Sequence, residues 1–251
     1  MASPSHPPQK AVGILGALPE EVAMLAEAME TRSIHHHLGR QFRQGSLAGQ
    51  PVVVVQGGVG KVRAATTATL LVAHFPLRGI IFTGVAGALA DHLQMGDVVL
   101  AHAAIEHDFG TGRPEGFVLG IDFIPELRYP LAEADSALYD LVVAQSERIP
   151  LHSLHGRQPV IHQGLVATGD VFVADAELRR QIRERTGALV VEMEGAAVVR
   201  VAQEAGIPCL LVRSVSDAGD DTDFLSFFQA AALNSAAVVH TVLQSLPQLS
   251  S

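Results

Sequence analysis

Short apolar runs, many of them β-branched, alternate along this chain with longer stretches whose apolar positions recur at helical spacing. Residues 12–15 predict a buried strand. Pro19 then opens a helix reaching about Met29, with Glu20 and Glu21 in its first turn. Proline is tolerated there because the first helical N–H has no intrahelical partner. Residues 41–47 and 51–56 predict a hairpin turning about 48–50. Residues 57–60 predict a glycine-rich turn, followed by a helix to about Phe75. Further strands are expected at 79–83, 97–106, 160–168, 189–192 and 208–215. Further helices are expected at 132–147, 175–185, 194–205 and 224–246. Residues 107–131 are rich in Gly and Pro and hold no clear period. They read as a long loop with room for one strand, and loops of that length often carry function.

This alternation predicts an α/β protein of three layers, a mixed and mostly parallel sheet with helices on both faces. The strands are near-continuous apolar runs, such as VVVV at 52–55 and LLV at 210–212. Such runs are expected where both faces of a sheet are covered. No repeat or linker divides the 251 residues. One domain over 11–246 is therefore expected, with a disordered tail at 1–10 and a short tail at 247–251. The N-terminal MASPSHPPQK is polar and lacks the apolar core of a signal peptide.

Charge narrows the partners. With 26 acidic and 17 basic residues the formal net charge is −9, which disfavours contact with a phosphate backbone, so no nucleic-acid partner is expected. No uninterrupted apolar stretch approaches the ~18 residues of a membrane span, so no membrane partner is expected. Cys209 is the only cysteine, which excludes an internal disulfide and suits a reduced, cytoplasmic setting. It sits in an apolar strand and reads as an inert core residue.

In sheets of this kind ligands bind at the carboxyl ends of strands. The predicted strands are followed by Glu20–Glu21, by Gly57-Gly58-Val59-Gly60, by Gly84-Val85-Ala86-Gly87, by Glu192-Met193-Glu194 and by Ser216-Asp217. Carboxylates and glycines thus gather at one rim. Each also has a plainer explanation. Acids in a first helical turn interact favourably with the positive helix end. Glycines serve tight turns. The string ending in Lys61 lacks the spacing of a phosphate loop, because Val62 stands where Ser or Thr would follow. Asp217 precedes Gly219, Asp220, Asp221 and Asp223, a solvated acidic turn or a loop for a hard cation; no ligand spacing supports a metal. His35, His36 and His37 are consecutive in an extended segment and alternate in direction, which suits a surface hairpin better than a metal site.

Seven segments in order carry a family resemblance: VGILGALPEEV (12–22), GGVGKVRAA (57–65), FTGVAGAL (82–89), GDVVLA (96–101), GDVFV (169–173), VVEMEGAAV (190–198) and VRSVSDAGD (212–220). Over nearly the whole chain the sequence resembles the 5′-methylthioadenosine/S-adenosylhomocysteine nucleosidases of the purine nucleoside phosphorylase superfamily. The resemblance implies roles. Glu21 matches the general base that activates water, and Asp217 the general acid at N7 of adenine, with Ser216 orienting it. Met193 and Glu194 match the ribose-binding pair. Phe172 matches the aromatic that stacks on adenine, and Val173 the residue whose backbone reads the purine edge. Gly87 and Val59 line the same pocket, Phe227 lies near the 5′-thio group, and Arg213 holds a carboxylate in place. No metal or cofactor is implied. The partners implied are a purine nucleoside and a second copy of the chain, whose loop near Thr111 closes the 5′-pocket.

Phosphorylases of the superfamily carry a Gly-Asp-Pro loop where this chain has Gly16-Ala17-Leu18-Pro19-Glu20-Glu21. Two carboxylates there repel phosphate, which favours water as the nucleophile. Phosphorolysis, futalosine as substrate, and nucleoside binding without catalysis are the alternatives. Val85 stands where many relatives place a small hydroxyl residue beside the base.

Overall fold

The computed structural model describes residues 10–128, 131–154, 156–217 and 221–247. Residues 1–9 and 248–251 of the expected tails lie outside the described residues. In chain order the elements are β1 (Ala11–Gly16), α1 (Pro19–Ala28), β2 (Glu30–His37), β3 (Arg40–Leu47), β4 (Gln50–Gln56), α2 (Lys61–His74), β5 (Leu77–Ala88) and β6 (Val98–Glu106). There follow β7 (Gly110–Arg113), β8 (Gly116–Leu119), β9 (Leu131–Glu133), α3 (Ser136–Val143), β10 (Ile161–Thr168) and α4 (Ala176–Thr186). The chain ends with β11 (Val190–Glu192), α5 (Gly195–Glu204), β12 (Cys209–Asp217) and α6 (Asp221–Ser245).

The valine run of β4 shows how the layers arise. Successive side chains on a strand point to opposite faces. Val53 and Val55 enter one apolar cluster, which α2 and α5 cover through Ala64, Ala68, Leu71, Val198, Val199 and Ala202. Val52 and Val54 enter a second, which α1, α3 and α6 cover through Val22, Leu25, Val142, Val238, Val239 and Val242. Ile80 and Phe82 against Ile81 on β5, and Leu211 against Leu210 and Val212 on β12, divide in the same way. The three-layer α/β expectation holds. Cys209 is buried in the first cluster, and burial pushes its thiol up to about 12.

The sheet order is β11-β10-β6-β12-β5-β1-β4-β3-β2. β4, β1, β5 and β12 run parallel side by side. Antiparallel pairings come from the meander β2-β3-β4, from β12 against β6, and from β6 against β9. One pairing has no sequence signal. β11, parallel to β10, also meets β5 antiparallel through Val190–Ala88 and Val191–Gly87. The strands β5, β12, β6, β10 and β11 therefore close into a ring, which brings Glu192 beside Gly87.

Several elements differ from the sequence expectation. β5 does not stop at Thr83 but continues through Gly84, Val85, Ala86 and Gly87 to Ala88. The expected turn is strand, because those backbone groups pair with β12 and β11. The expected helix over 132–147 is divided. Leu131–Glu133 pairs with β6, and Asp135 then accepts from the Leu138 N–H at 2.9 Å and caps the shorter α3. Residues 107–131 contain the hairpin β7–β8, two strands rather than one. β2 was not among the expected strands, because the residues ETRSIHHH of this edge strand carry little apolar signal, but the surface hairpin expected at His35–His37 is present as β2–β3. Its histidines alternate as predicted, with His35 and His37 against Phe75 and His36 exposed. The β3–β4 hairpin stands where expected; Ala48 (φ 50°) and Gly49 (φ 77°) make the left-handed two-residue turn that matches strand twist. Among the described residues no helix is long and apolar enough to cross a membrane.

Candidate active site

β1 ends at Gly16, and the glycine turn after β4 is latched beside it: Gly57 donates to the Gly16 carbonyl at 2.7 Å and Gly58 to that of Ala17 at 3.0 Å. α1 starts at once, and its first two acids separate. Glu20 is exposed, whereas Glu21 is 5% exposed. Glu21 Oε2 accepts from the Leu18 N–H at 2.8 Å, the reach-back typical of the third helical position. Its Oε1 accepts from the Val85 N–H at 3.0 Å. The backbone of β5 thus orients this carboxylate, so the missing hydroxyl at position 85 leaves it held. Val85 itself packs with Phe228, Ala231 and Ala232. Gly84 is required here: a Cβ would lie 2.5 Å from Glu21 Oε1 and 3.2 Å from Arg213 Nη1. Burial raises the Glu21 pKa above the usual carboxylate value, while the Arg213 charge and the backbone donors pull against it.

The two acids at the end of β11 also separate. Glu192 Oε2 takes Arg213 Nη2 at 2.7 Å and the Glu194 N–H at 3.1 Å. Both its oxygens accept from the Gly195 N–H, at 2.9 and 2.7 Å, and Oε1 also takes the Thr168 hydroxyl. Glu192 is therefore the anion that caps α5 and holds Arg213, which is 1% exposed and lies 4.0 Å over the Phe82 ring. The carboxylate that Arg213 grips is thus Glu192. Removing one partner of such a buried pair typically costs about 3–5 kcal/mol. Glu194 lines the cavity as Glu192 does, but among the described residues no arginine pairs with it: its Oε1 accepts from the Gly60 N–H at 2.8 Å. Burial first, and then the Glu192 charge, push its pKa up to about 8.

That shift predicts a pH effect on stability. From the ordinary value of 4.5 up to about 8 the folded protein keeps a proton on Glu194 that the unfolded chain releases. The stabilisation is complete below the lower value and is lost as the pH rises through the upper one. The melting temperature is expected to fall from about pH 4.5 to about pH 8, levelling off above, and to fall less in Glu194→Gln. Equal slopes in the two proteins would assign the loss to other groups.

β12 ends in Ser216 and Asp217, both buried. The Ser216 hydroxyl donates to Asp217 Oδ2 at 2.8 Å. Asp217 lies opposite Gly87 in register, and a Cβ at Gly87 would come within 3.1 Å of Asp217 Oδ1. The acidic loop after Asp217 enters residues 218–220, outside the described residues. Among the described residues no group of three or more His, Cys, Asp or Glu is placed to hold a metal.

These pieces surround one cavity of about 270 Å³. Glu21, Val59, Gly87, Phe172, Val173, Met193, Glu194, Ser216 and Asp217 all line it. Phe172 is half exposed at the mouth, and Val173 is buried. Of the site residues taken from sequence, Phe227 and Arg213 are not among the lining; Phe227 is partly buried on α6, and Arg213 lies behind Glu192. Ala17, Leu18, Val171 and Val191 line the cavity without having been singled out. Ala17 and Leu18 had a signal, because they directly follow a strand end. Val171 and Val191 are ordinary apolar residues with none. Chemically the cavity offers a mainly apolar slot for a flat heterocycle, with acids opening into it from three different elements.

Comparison with known proteins places the chain in a family. The phosphorylase superfamily model matches residues 11–244. The 5′-methylthioadenosine/S-adenosylhomocysteine nucleosidase of Mycobacterium bovis is 35% identical over 254 residues, covering 95% of this chain and 97% of its own length. That of Chromohalobacter salexigens is 35% identical over 240 residues, with 94% and 97% covered. The crystal structure of the Neisseria meningitidis nucleosidase with methylthio-immucillin-A matches at a TM-score of 0.83 and 30% identity, over 94% of this chain and all of that one. Futalosine hydrolase of Helicobacter pylori matches at 0.83 and 28% identity, over 94% and 98%. The chain belongs to the phosphorylase superfamily and, within it, to the 5′-methylthioadenosine/S-adenosylhomocysteine nucleosidases.

Proposed function

We propose that this protein hydrolyses the N-glycosidic bond of 5′-methylthioadenosine and S-adenosylhomocysteine, releasing adenine and the 5′-thioribose. The observation that carries this reading is that Glu21 and Asp217, 196 positions apart in the chain, open into one largely apolar cavity. Phe172 and Val173 hold the purine. Asp217, steadied by Ser216, gives a proton to N7 as the C1′–N9 bond breaks and its electrons pass to the base. Glu21 takes a proton from the water that attacks C1′; a base with a raised pKa accepts that proton more readily near neutral pH. Met193 and Glu194 hold the ribose. The Glu194 carboxylate, once ionised, binds the cation-like sugar of the transition state more tightly than the ground state. Val59 and Gly87 complete the walls, and Phe227 closes the 5′ end. No metal or cofactor takes part.

We propose also that the active unit is a homodimer. The exposed Phe117, Val118 and Phe123 lie on the segment whose counterpart from the partner would close the 5′-pocket. Cytoplasmic placement accords with the single buried Cys209.

The test is purine release in phosphate-free buffer from methylthioadenosine, adenosylhomocysteine, 5′-deoxyadenosine and futalosine. Equal turnover with and without phosphate is expected, fastest on the 5′-thio substrates. A strict need for phosphate would make the protein a phosphorylase. Binding without release from any of the four would make it a non-catalytic nucleoside binder. Preference for futalosine is the second reading, favoured by the likeness to the H. pylori futalosine hydrolase.

A further inference from the structure

Lys61 ends a glycine-rich string that lacks the spacing of a phosphate loop, and its ammonium group faces two carboxylates. Nζ lies 2.7 Å from Asp108 Oδ1 and 3.2 Å from Glu106 Oε2. Asp108 Oδ2 in turn accepts from the Asp170 N–H at 2.8 Å, and Asp170 Oδ1 accepts from the Lys61 N–H at 2.8 Å. Lys61, Asp108 and Asp170 therefore close a loop of bonds among the start of α2, the end of β6 and the segment after β10. The preceding residue, Gly60, gives its N–H to Glu194. A Cβ at Gly60 would lie 3.0 Å from Asp170 Oδ1, so the glycine lets the two segments meet. Two consecutive amides at the head of one helix thus grip Glu194, on the ribose side, and Asp170, two residues before Phe172, on the base side.

We propose that Lys61 is a positioning residue that fixes the base-binding segment 169–173 and the ribose-binding Glu194 in one rigid frame, at the spacing an adenine nucleoside requires. The inference rests on the nucleosidase reading above. The lysine is only 18% exposed on its side chain, so the ion pairs are shielded from solvent. Burial alone would lower its pKa, yet the bonds to Asp108 and Glu106 outweigh it and hold the ammonium above the usual lysine range. Asp108 is held below the usual carboxylate range: burial would raise it, and the Lys61 and Asp170 donors prevail. The cation and its partner thus stay charged across the working pH range. Loss of the Lys61 ammonium would leave Asp108 and Glu106 facing each other with no lysine charge between them, and would free the Asp108 side chain that holds the Asp170 N–H.

The test compares wild type with Lys61→Met, Lys61→Arg and Asp108→Asn. It measures kcat and KM on methylthioadenosine, the dissociation constant of free adenine, and the melting temperature. Lys61→Met is expected to lower kcat/KM about 30-fold, as misplacement of a binding group does, with most of the loss in KM. Adenine binding should weaken about tenfold in parallel. Lys61→Arg restores a cation to the same carboxylates and should recover most of both losses. Asp108→Asn should weaken adenine binding in the same direction, and combining it with Lys61→Met should add little. If Lys61→Met does not fold, Asp108→Asn and Lys61→Arg decide alone. Wild-type kcat/KM and adenine affinity in a folded Lys61→Met or Asp108→Asn would overturn the proposal. So would a loss that follows only the folded fraction. Wild-type turnover in the same assay reports separately on the nucleosidase reading.

Discussion

Asp217→Asn is expected to stop purine release while the protein still folds and still binds the nucleoside. The variant keeps the shape of the side chain, and its amide oxygen can accept the Ser216 hydroxyl bond now made to Asp217 Oδ2. Its NH₂ can still donate a hydrogen bond to N7, so ground-state binding should change only a few-fold. It has no proton to transfer. An adenine anion is a poor leaving group without that proton, and general-acid catalysis is worth about 10²–10⁴ in rate. A loss of about 10³-fold in kcat with little change in KM is therefore expected, since the interaction matters only as the bond breaks. Purine release measured beside a binding titration checks it. A kcat within tenfold of wild type would remove Asp217 from the chemistry.

Glu21→Gln should be as damaging for a different reason. Two oxygens of Glu21 each accept one backbone N–H, from Leu18 and from Val85. A glutamine can accept only one of these, and its NH₂ must face the other donor. The side chain is then misoriented as well as unable to take a proton from water. Loss of the base and of its orientation together predict about 10³–10⁴-fold in kcat. The fold should survive, because the change removes a buried charge and leaves the volume nearly unchanged. Circular dichroism and single-turnover adenine release check both halves. The pH profile adds a second readout. The raised pKa of Glu21 predicts that wild-type kcat/KM falls as the pH drops below a point higher than an ordinary glutamate would give, and that this limb disappears in Glu21→Gln. An unchanged acid limb in the variant would assign it to another group.

The outcome at particular residues shows where sequence reasoning reached and where it stopped. Strand ends followed by acids and glycines located the rim, since strand-end position depends on local pattern alone. Pattern could not separate Glu20 from Glu21, or Glu192 from Glu194. The members of each pair lie within two residues of one another and are chemically identical. What divides them is the neighbour each meets: Arg213 and Thr168 for Glu192, the Gly60 amide for Glu194, the Val85 amide for Glu21. The resemblance drew attention to Glu21 and Glu194. The physical cause of their separation lies in contacts between remote segments. Lys61 shows the reverse: its local string lacks the spacing of a phosphate loop and gave it no role, and its carboxylate partners became visible only when β6 and the segment after β10 came alongside.

By itself the sequence determined the layer architecture, because alternation of side chains on a strand and a 3.6-residue helical period are local consequences of backbone geometry. It also determined the acidic, apolar character of the rim and the absence of any internal disulfide. Only the tertiary structure decided that β5 runs on to Ala88, that the polar segment Glu30–His37 is an edge strand, and that β11 returns to β5 and closes a ring. Those features rest on hydrogen bonds whose two partners are remote in sequence, as Val191 and Gly87 are. No local pattern encodes such a partner, and the free energy that selects it belongs to the assembled core.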